Sequence, residues 1–246
     1  MDVKKVSKKT LDNVSISPVQ ESIKSLALMA HDNIGPIIKE ENPDLICLFN
    51  VTADSFQKIT NMLPNFIAFQ VFIGEGNESG IVILCNKSTM EISEDEPPYY
   101  FDYPSCSGQI IGTGIIHKKT KFCFNLLAVN VDDFDKYSTI LKVVENINNY
   151  ILIGYNLLEK YDNDPLAHTM NDAWIKLGCP MRVKYNNAES QNRSARIYYH
   201  GKHFLPKSIS LVGTKIIKST QAPVSPNYGL ITEFTLKSLS HGTKSL

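Results

Sequence analysis

The chain has 246 residues, 43% hydrophobic and 20% charged, with 25 basic side chains balancing 25 acidic ones. That composition fits a globular protein with a substantial core, in one large domain or two small ones. Net neutrality lends no support to a nucleic-acid or membrane-surface role, and no apolar run reaches the roughly 18 residues that a membrane helix needs.

Residues 1–12 read as a mobile basic tail, 13–238 as one domain and 239–246 as a C-terminal tail, because no linker, repeat or low-complexity block divides the chain. The start, MDVKKVSKKTLDN, is polar and has no h-region, so no secretory signal is expected and the protein is placed inside the cell, in cytoplasm or nucleus. A helical region is predicted over 19–41, with apolar residues at Ile23, Leu26, Leu28, Ile34, Ile37 and Ile38. LICLFNV, Leu45 to Val51, reads as a buried strand because it is short and turn-bounded. A helix is expected over 53–63, then a β-hairpin over 66–86, whose apolar arms flank Gly74, Gly76, Asn77 and Gly80.

The segment 91–106 is acidic and proline-rich, and its proline pair excludes a central strand. Strands follow at 108–117 and 121–130, and then a helix opened by Asp132 and Asp133 that runs to about Asn146. Tyr150 to Ile153 reads as a short buried strand ending at Gly154, followed by Tyr155, Asn156, Leu157 and Leu158. A helix near 169–177 carries the single Trp, Trp174, as a core anchor. Residues 185–195 read as an Asn/Ser-rich loop, and three closing strands lie near ARIYYHG, SISLVGT and YGLITEFTL. Hairpins mixed with strand–helix units argue for mixed sheets covered by helices.

The five cysteines, Cys47, Cys85, Cys106, Cys123 and Cys179, are scattered and form no C-x-x-C pair. They read as reduced, mostly buried thiols, and their spacing supports no zinc site.

Several segments, in chain order, resemble the endonuclease/exonuclease/phosphatase family. NPDLICLFNV is similar to its P-D-x-[IV]-x-x-Q-E-V strand and SGIVILCNKSTMEI to the next hairpin arm. KFCFNLLAVN resembles the strand that ends in a Ser- or Thr-His pair, YILIGYNL the strand ending in G-D-x-N, and VSPNYGLITEFTL the closing S-D-H strand. NDAWIKLGCP and ARIYYHGKHFLPKSISLVGTKI are similar to motifs of the 5′-tyrosyl-DNA phosphodiesterase branch. The resemblance spans about residues 12–238 and implies a four-layer α/β sandwich, two packed mixed β-sheets flanked by helices.

Members of that family hydrolyse phosphodiesters with Mg²⁺, which prefers carboxylate oxygens, while a His and an Asp activate water and stabilise the transition state. Carried over position by position, the resemblance places the first-strand motif loosely at Pro18, the magnesium-ligating Glu at Asn50 and a His at Asn130. The Asp and Asn of G-D-x-N fall on Tyr155 and Leu157, and the Asp and His of S-D-H on Pro226 and Asn227. The Asp of R-F-D-R-I falls on Ala195, while Arg193 and Arg196 are kept. The acids and histidines of the family are absent from these places although the apolar strand bodies persist. Such residues act as a unit, so loss of the set is hard to reconcile with that mechanism.

Other constellations read as structural. Asp132, Asp133 and Asp135 cap the following helix rather than bind metal, and Glu94, Asp95 and Glu96 form a solvated loop. His117, His168, His200 and His203 pair with no nucleophile and default to surface or edge positions. Arg193, Arg196, Lys202, His203 and Lys207 could line one sheet edge as a basic strip able to hold phosphate or nucleic acid. Tyr155 and Leu157 are expected to fill the former metal pocket.

The sequence therefore points to a pseudoenzyme with no cofactor and no metal site, acting as a binding or scaffolding module for a protein partner, away from membranes. One alternative is a divergent Mg²⁺-dependent phosphodiesterase with ligands relocated to Asp132 or Asp133. Another is a non-hydrolytic nucleic-acid-binding protein using Arg193, Arg196, Lys202 and Lys207.

Overall fold

Short apolar runs bounded by turn residues become strands here, and their order brings the strand ends to common rims. The structure, a computed structural model, describes residues 21–29, 34–73, 79–102, 109–130, 137–155, 169–179, 183–185, 188–190, 195–213, 216–217, 222–223 and 229–237. The first half runs β1 (Ser22–Met29), α1 (Ile34–Glu41), β2 (Leu45–Val51), α2 (Ala53–Met62), β3 (Phe66–Ile73), β4 (Ser79–Asn86), β5 (Met90–Ile92), β6 (Tyr99–Asp102), β7 (Gln109–His117) and β8 (Phe122–Asn130). The second runs α3 (Tyr137–Val144), β9 (Tyr150–Tyr155), β10 (Asn171–Asp172), α4 (Ala173–Lys176), β11 (Val183–Tyr185), β12 (Ala188–Ser190), β13 (Ala195–His200), β14 (Phe204–Val212), β15 (Ile216–Ile217), β16 (Ala222–Pro223) and β17 (Gly229–Leu236).

Two mixed sheets carry the molecule. The first has the order β14-β17-β1-β2-β4-β3, parallel only between β1 and β2. The second has the order β10-β13-β9-β8-β7-β5, with β6 also on β7, and is parallel only between β8 and β9. β11–β12 and β15–β16 are separate short pairs.

Three apolar layers account for the stacking. Between the sheets lie Phe49, Ile83, Leu126, Ile153, Ile197 and Phe234, with Trp174 at one side. On the outer face of the first sheet, Ile34, Ile37 and Ile38 of α1 and Ile59 of α2 pack on Leu26, Leu48 and Leu84. On the outer face of the second, Ile140 and Val144 of α3 pack on Leu127, Leu152 and Tyr198. Each such aliphatic side chain contributes about 1.5–3 kcal/mol on full burial. The result is the four-layer α/β sandwich expected from the sequence: helix, sheet, sheet, helix.

Several expectations need correction. Within 19–41, the described residues Ser22–Met29 form a strand, β1, and helix is described only over Ile34–Glu41. β1 is buried on both faces, so its run of apolar residues has no two-residue alternation to distinguish it from a helix. Around the acidic loop, β5 and β6 are short edge strands, and the proline pair lies between them, outside both. Residues 188–190, read as loop, pair with 183–185. The helix near 169–177 is interrupted: Thr169 is helical, β10 follows, and helix resumes as α4, with Trp174 buried as expected. The expected helix from Asp132 is described only from Tyr137 to Val144. The tails, Pro18, Arg193, Cys106 and His168 lie outside the described residues, as do Asp132, Asp133 and Asp135.

Candidate functional site

Register gathers the family positions at one rim. β8 and β9 run parallel, setting Asn130 beside Tyr155, and β13 sets Ala195 on the other side of Tyr155. In the facing sheet, the β1–β2 pairing ends at Met29 and Phe49, β2 itself runs on to Val51, and antiparallel β17 starts there at Gly229. The strand ends that would carry chemistry therefore converge, although Leu157, Pro226 and Asn227 lie outside the described residues.

The two sheets meet at this rim through aromatic rings. Phe49 stacks on Tyr155 with centroids 5.4 Å apart and an interplanar angle of 25°. Tyr155 is 4% exposed and Phe49 is fully buried. The neighbouring residue, Asn50, falls in a bulge: the β2–β4 register shifts between Phe49 and Val51. Its φ of 59° lies in the left-handed region, which Asn tolerates better than most residues, and its side chain is exposed. Asn130 is half-buried at the end of β8.

The donors described at this rim are thus two neutral amides and one buried phenol. Mg²⁺ is held best by carboxylates in octahedral geometry, and these residues do not fit it. Among the described residues no group of three or more His, Cys, Asp or Glu side chains could hold a metal ion. A missed signal for the rim was Phe49 itself, an aromatic immediately before the bulge and opposite Tyr155.

The basic strip is corrected. Arg196 is 1% exposed in β13, between β9 and β10, and its guanidinium donates to the Tyr198 hydroxyl at 3.2 Å. β13 is buried on both faces, so the positive charge at 196 is structural and does not face solvent. Lys207 lies on the other sheet, in β14, and donates to Glu233 at 2.9 Å. Lys202 is exposed in the turn between β13 and β14.

The histidines also divide. His117 is 3% exposed, not superficial, and its Nδ1 lies 2.9 Å from the Thr120 hydroxyl. Burial holds its pKa below the ordinary value, against the opposing pull of Asp44 and Glu21. His200 stacks on Tyr150 at 5.4 Å, and His203 packs against Phe122. Cys47 and Cys85 are buried free thiols, and burial pushes the Cys85 pKa up to about 12. Cys123 is exposed, contrary to a mostly buried set.

At the opposite end, where β8 and β9 begin, a cleft of about 290 Å³ lies among Asp95, Glu96, Cys123, Asn125 and the segment Asn146–Asn149. It shares no residue with the rim. The Asn125 amide donates to Glu96 at 2.7 Å and accepts from the Tyr99 hydroxyl at 3.3 Å. The acidic loop is held to the sheet by Ser93 N–H to Gly114 O (2.9 Å) and Gly114 N–H to Glu96 O (2.8 Å).

Two mixed sheets packed face to face, with helices outside and strand ends converging on one rim, define the fold of the endonuclease/exonuclease/phosphatase proteins, the DNase I-like sandwich. Within that class the chain is similar to TDP2 of D. rerio: a humanized form aligns at TM-score 0.70 and 13% identity, covering 87% of this chain and 98% of the other. A family protein from Bacteroides thetaiotaomicron aligns at TM-score 0.69 and 14% identity, covering 89% and 99%. A mannosyl-6-phosphatase from the same species aligns at TM-score 0.67 and 13% identity, covering 86% and 99%. At such identities the likeness is one of fold. No family model matches the chain, and no curated protein sequence does.

Proposed function

We propose that this chain is a pseudoenzyme of the phosphodiesterase fold, an intracellular module that binds or scaffolds a protein partner. The observation that carries the reading is the Phe49–Tyr155 stack, which occupies the position where the resemblance calls for a catalytic acid. A buried phenol stacked on a phenylalanine neither ligates a hard cation nor activates water at neutral pH. Asn50 and Asn130, at the places of a Glu and a His, offer only neutral amides. With both rings buried against each other, the described residues of this end present no anion- or cation-holding pocket for a phosphate and its metal.

The test is hydrolysis of a 5′-phosphotyrosyl oligonucleotide with Mg²⁺. The reading predicts no turnover above a no-protein control, with or without EDTA. Turnover abolished by EDTA would overturn it. Such turnover would favour the rival reading, a divergent phosphodiesterase using Asp132 or Asp133. That rival has one observation behind it: β8 ends at the rim with Asn130, two residues before Asp132. It predicts that Asp132→Asn or Asp133→Asn abolishes the activity. A D. rerio TDP2 structure is of a complex with single-strand DNA product. Non-hydrolytic nucleic-acid binding would show a strong salt dependence, with Lys202 and Lys207 as its exposed cations.

A further inference from the structure

The two edges of the first sheet are built differently. β14 carries Pro206, a register shift between Pro206 and Ser208, and the Lys207–Glu233 ion pair. Each of these discourages strand addition. β3 has none of them. Its residues, FIAFQVFI, hold no charge and no proline, and its register with β4 runs unbroken from Phe66 to Ile73. Among the described residues β3 is hydrogen-bonded to β4 alone. Phe66 and Ala68 pack toward the helix layer, Phe69 and Val71 toward the core between the sheets, and all four stay half-buried.

Register decides which backbone groups face outward. The Lys87 N–H donates to the Asn65 carbonyl at 2.8 Å, continuing the Phe66–Asn86 alignment by one step. Residues 65 and 87 are therefore a hydrogen-bonded pair, and the antiparallel alternation turns the odd residues of β3 toward β4. The N–H and C=O groups of Ala68, Gln70 and Phe72 point to the free side.

We propose that β3 pairs antiparallel with β3 of a second copy of this chain, about a twofold axis at Phe69 normal to the sheet, joining the two sheets into one. Such an axis keeps each face on its own side, so residues directly opposite share parity. Ala68 and Gln70 of one copy then form hydrogen-bonded pairs with Gln70 and Ala68 of the other. Phe69 meets Phe69, and Ile67 meets Val71, in the closer non-hydrogen-bonded pairs, all on the face toward the core between the sheets. The strand is thus complementary to itself, and the apolar surface left half-exposed is covered by the same residues from the other copy. Charge does not oppose the contact, because the edge is uncharged and the chain has zero formal net charge.

Sedimentation equilibrium tests this on the full chain. The wild type should sediment as a dimer at micromolar concentration, and Gln70→Lys, at an exposed position, should return it to monomer with an unchanged circular dichroism spectrum. Deuterium uptake at the Ala68 and Gln70 amides should slow as concentration rises. A monomeric wild type would assign the edge to another protein's strand or to residues 1–20 of this chain, and would overturn the proposal. Undiminished dimerisation of Gln70→Lys, or uptake independent of concentration, would also overturn it.

Discussion

The two ends of the sandwich carry different chemistry on the same frame. At the rim where β2, β8 and β9 finish, the described side chains are Asn50, Asn130, Tyr155 and Ala195, and the sheets are joined by ring on ring. At the opposite end, carboxylates are tied into hydrogen bonds. Asp44 accepts from the Lys24 N–H at 2.8 Å and from the Thr89 hydroxyl at 2.7 Å, and Glu96 accepts from Asn125 at 2.7 Å. Strand bodies between the two ends are mostly apolar, with isolated buried polar residues such as Ser25, Thr113 and Arg196. The polarity of an end is therefore not a property of the fold. It is set residue by residue at strand termini, where a ring pair at one end and bonded carboxylates at the other sit on the same packed layers.

The largest effect should come from forcing the rim to resemble the acidic pattern. Tyr155→Asp removes a buried aromatic and places a carboxylate against Phe49. We expect a loss of about 3–5 kcal/mol in urea denaturation, with no phosphodiesterase activity gained. A variant as stable as the wild type would mean that the rim is open to solvent, and the contrast between the ends would break. The matching probe of the far-end hydrogen bonds is Gly112→Val, in the middle of β7. A Cβ at Gly112 would lie 2.5 Å from the Tyr99 ring, so Tyr99 must move away from Asn125. The cost should be about 1–3 kcal/mol. Burial, reinforced by Glu96, pushes the Tyr99 hydroxyl up to about 12. In the variant it should titrate closer to the ordinary value of about 10 in a spectrophotometric titration.

Sequence and structure agree where an apolar run is short and bounded by turns. β2, the β3–β4 hairpin, β7, β8 and β9 were all legible on that ground. β1 was not, because a strand buried on both faces shows no alternation, and Ser25, fully buried within it, broke the apolar run. Arg196 misled for a related reason. In β13 the sequence ARIYYH alternates, but whether the face bearing Arg196 meets water depends on α3 and β10, which are far away along the chain. The rim was legible only through a resemblance, since Tyr155 and Asn50 have no local pattern that marks a site. They come to one rim because the two sheets pack face to face there, Phe49 on Tyr155, which no local pattern in the sequence reports.

A smaller effect separates the ends by pH. His117 sits at the far end with its pKa depressed by burial, while Asp44 and Glu21 draw it upward and Lys119 adds to the depression. Its folded-state pKa lies below its unfolded value of about 6.5. Between those two values the unfolded chain binds more protons, so stability is complete above the unfolded pKa and declines as pH falls through it. Urea midpoints should drop from pH 7 toward pH 5, and His117→Gln should flatten that part of the profile. A profile unchanged by the substitution would assign the pH dependence to other groups.

The smallest effect is expected on β14, at Lys207. Its ammonium donates to Glu233 at 2.9 Å, but its side chain is 62% exposed. The hydrogen bond from Lys207 holds the Glu233 carboxyl below its usual range, so the associated stability is present above the unfolded carboxylate pKa and is lost as pH falls through the folded one. Solvent screening keeps the pair weak, and Lys207→Ala should cost about 0–1 kcal/mol at neutral pH, less at high salt. The same substitution separates two roles for this cation. If Lys207 serves only the sheet edge, Lys207→Ala leaves oligonucleotide binding unchanged at every salt concentration. If it also contacts phosphate, affinity falls and the slope of log affinity against log salt becomes shallower by about one counterion. The second outcome would give the molecule a charged surface remote from the rim and would move any nucleic-acid contact away from Tyr155.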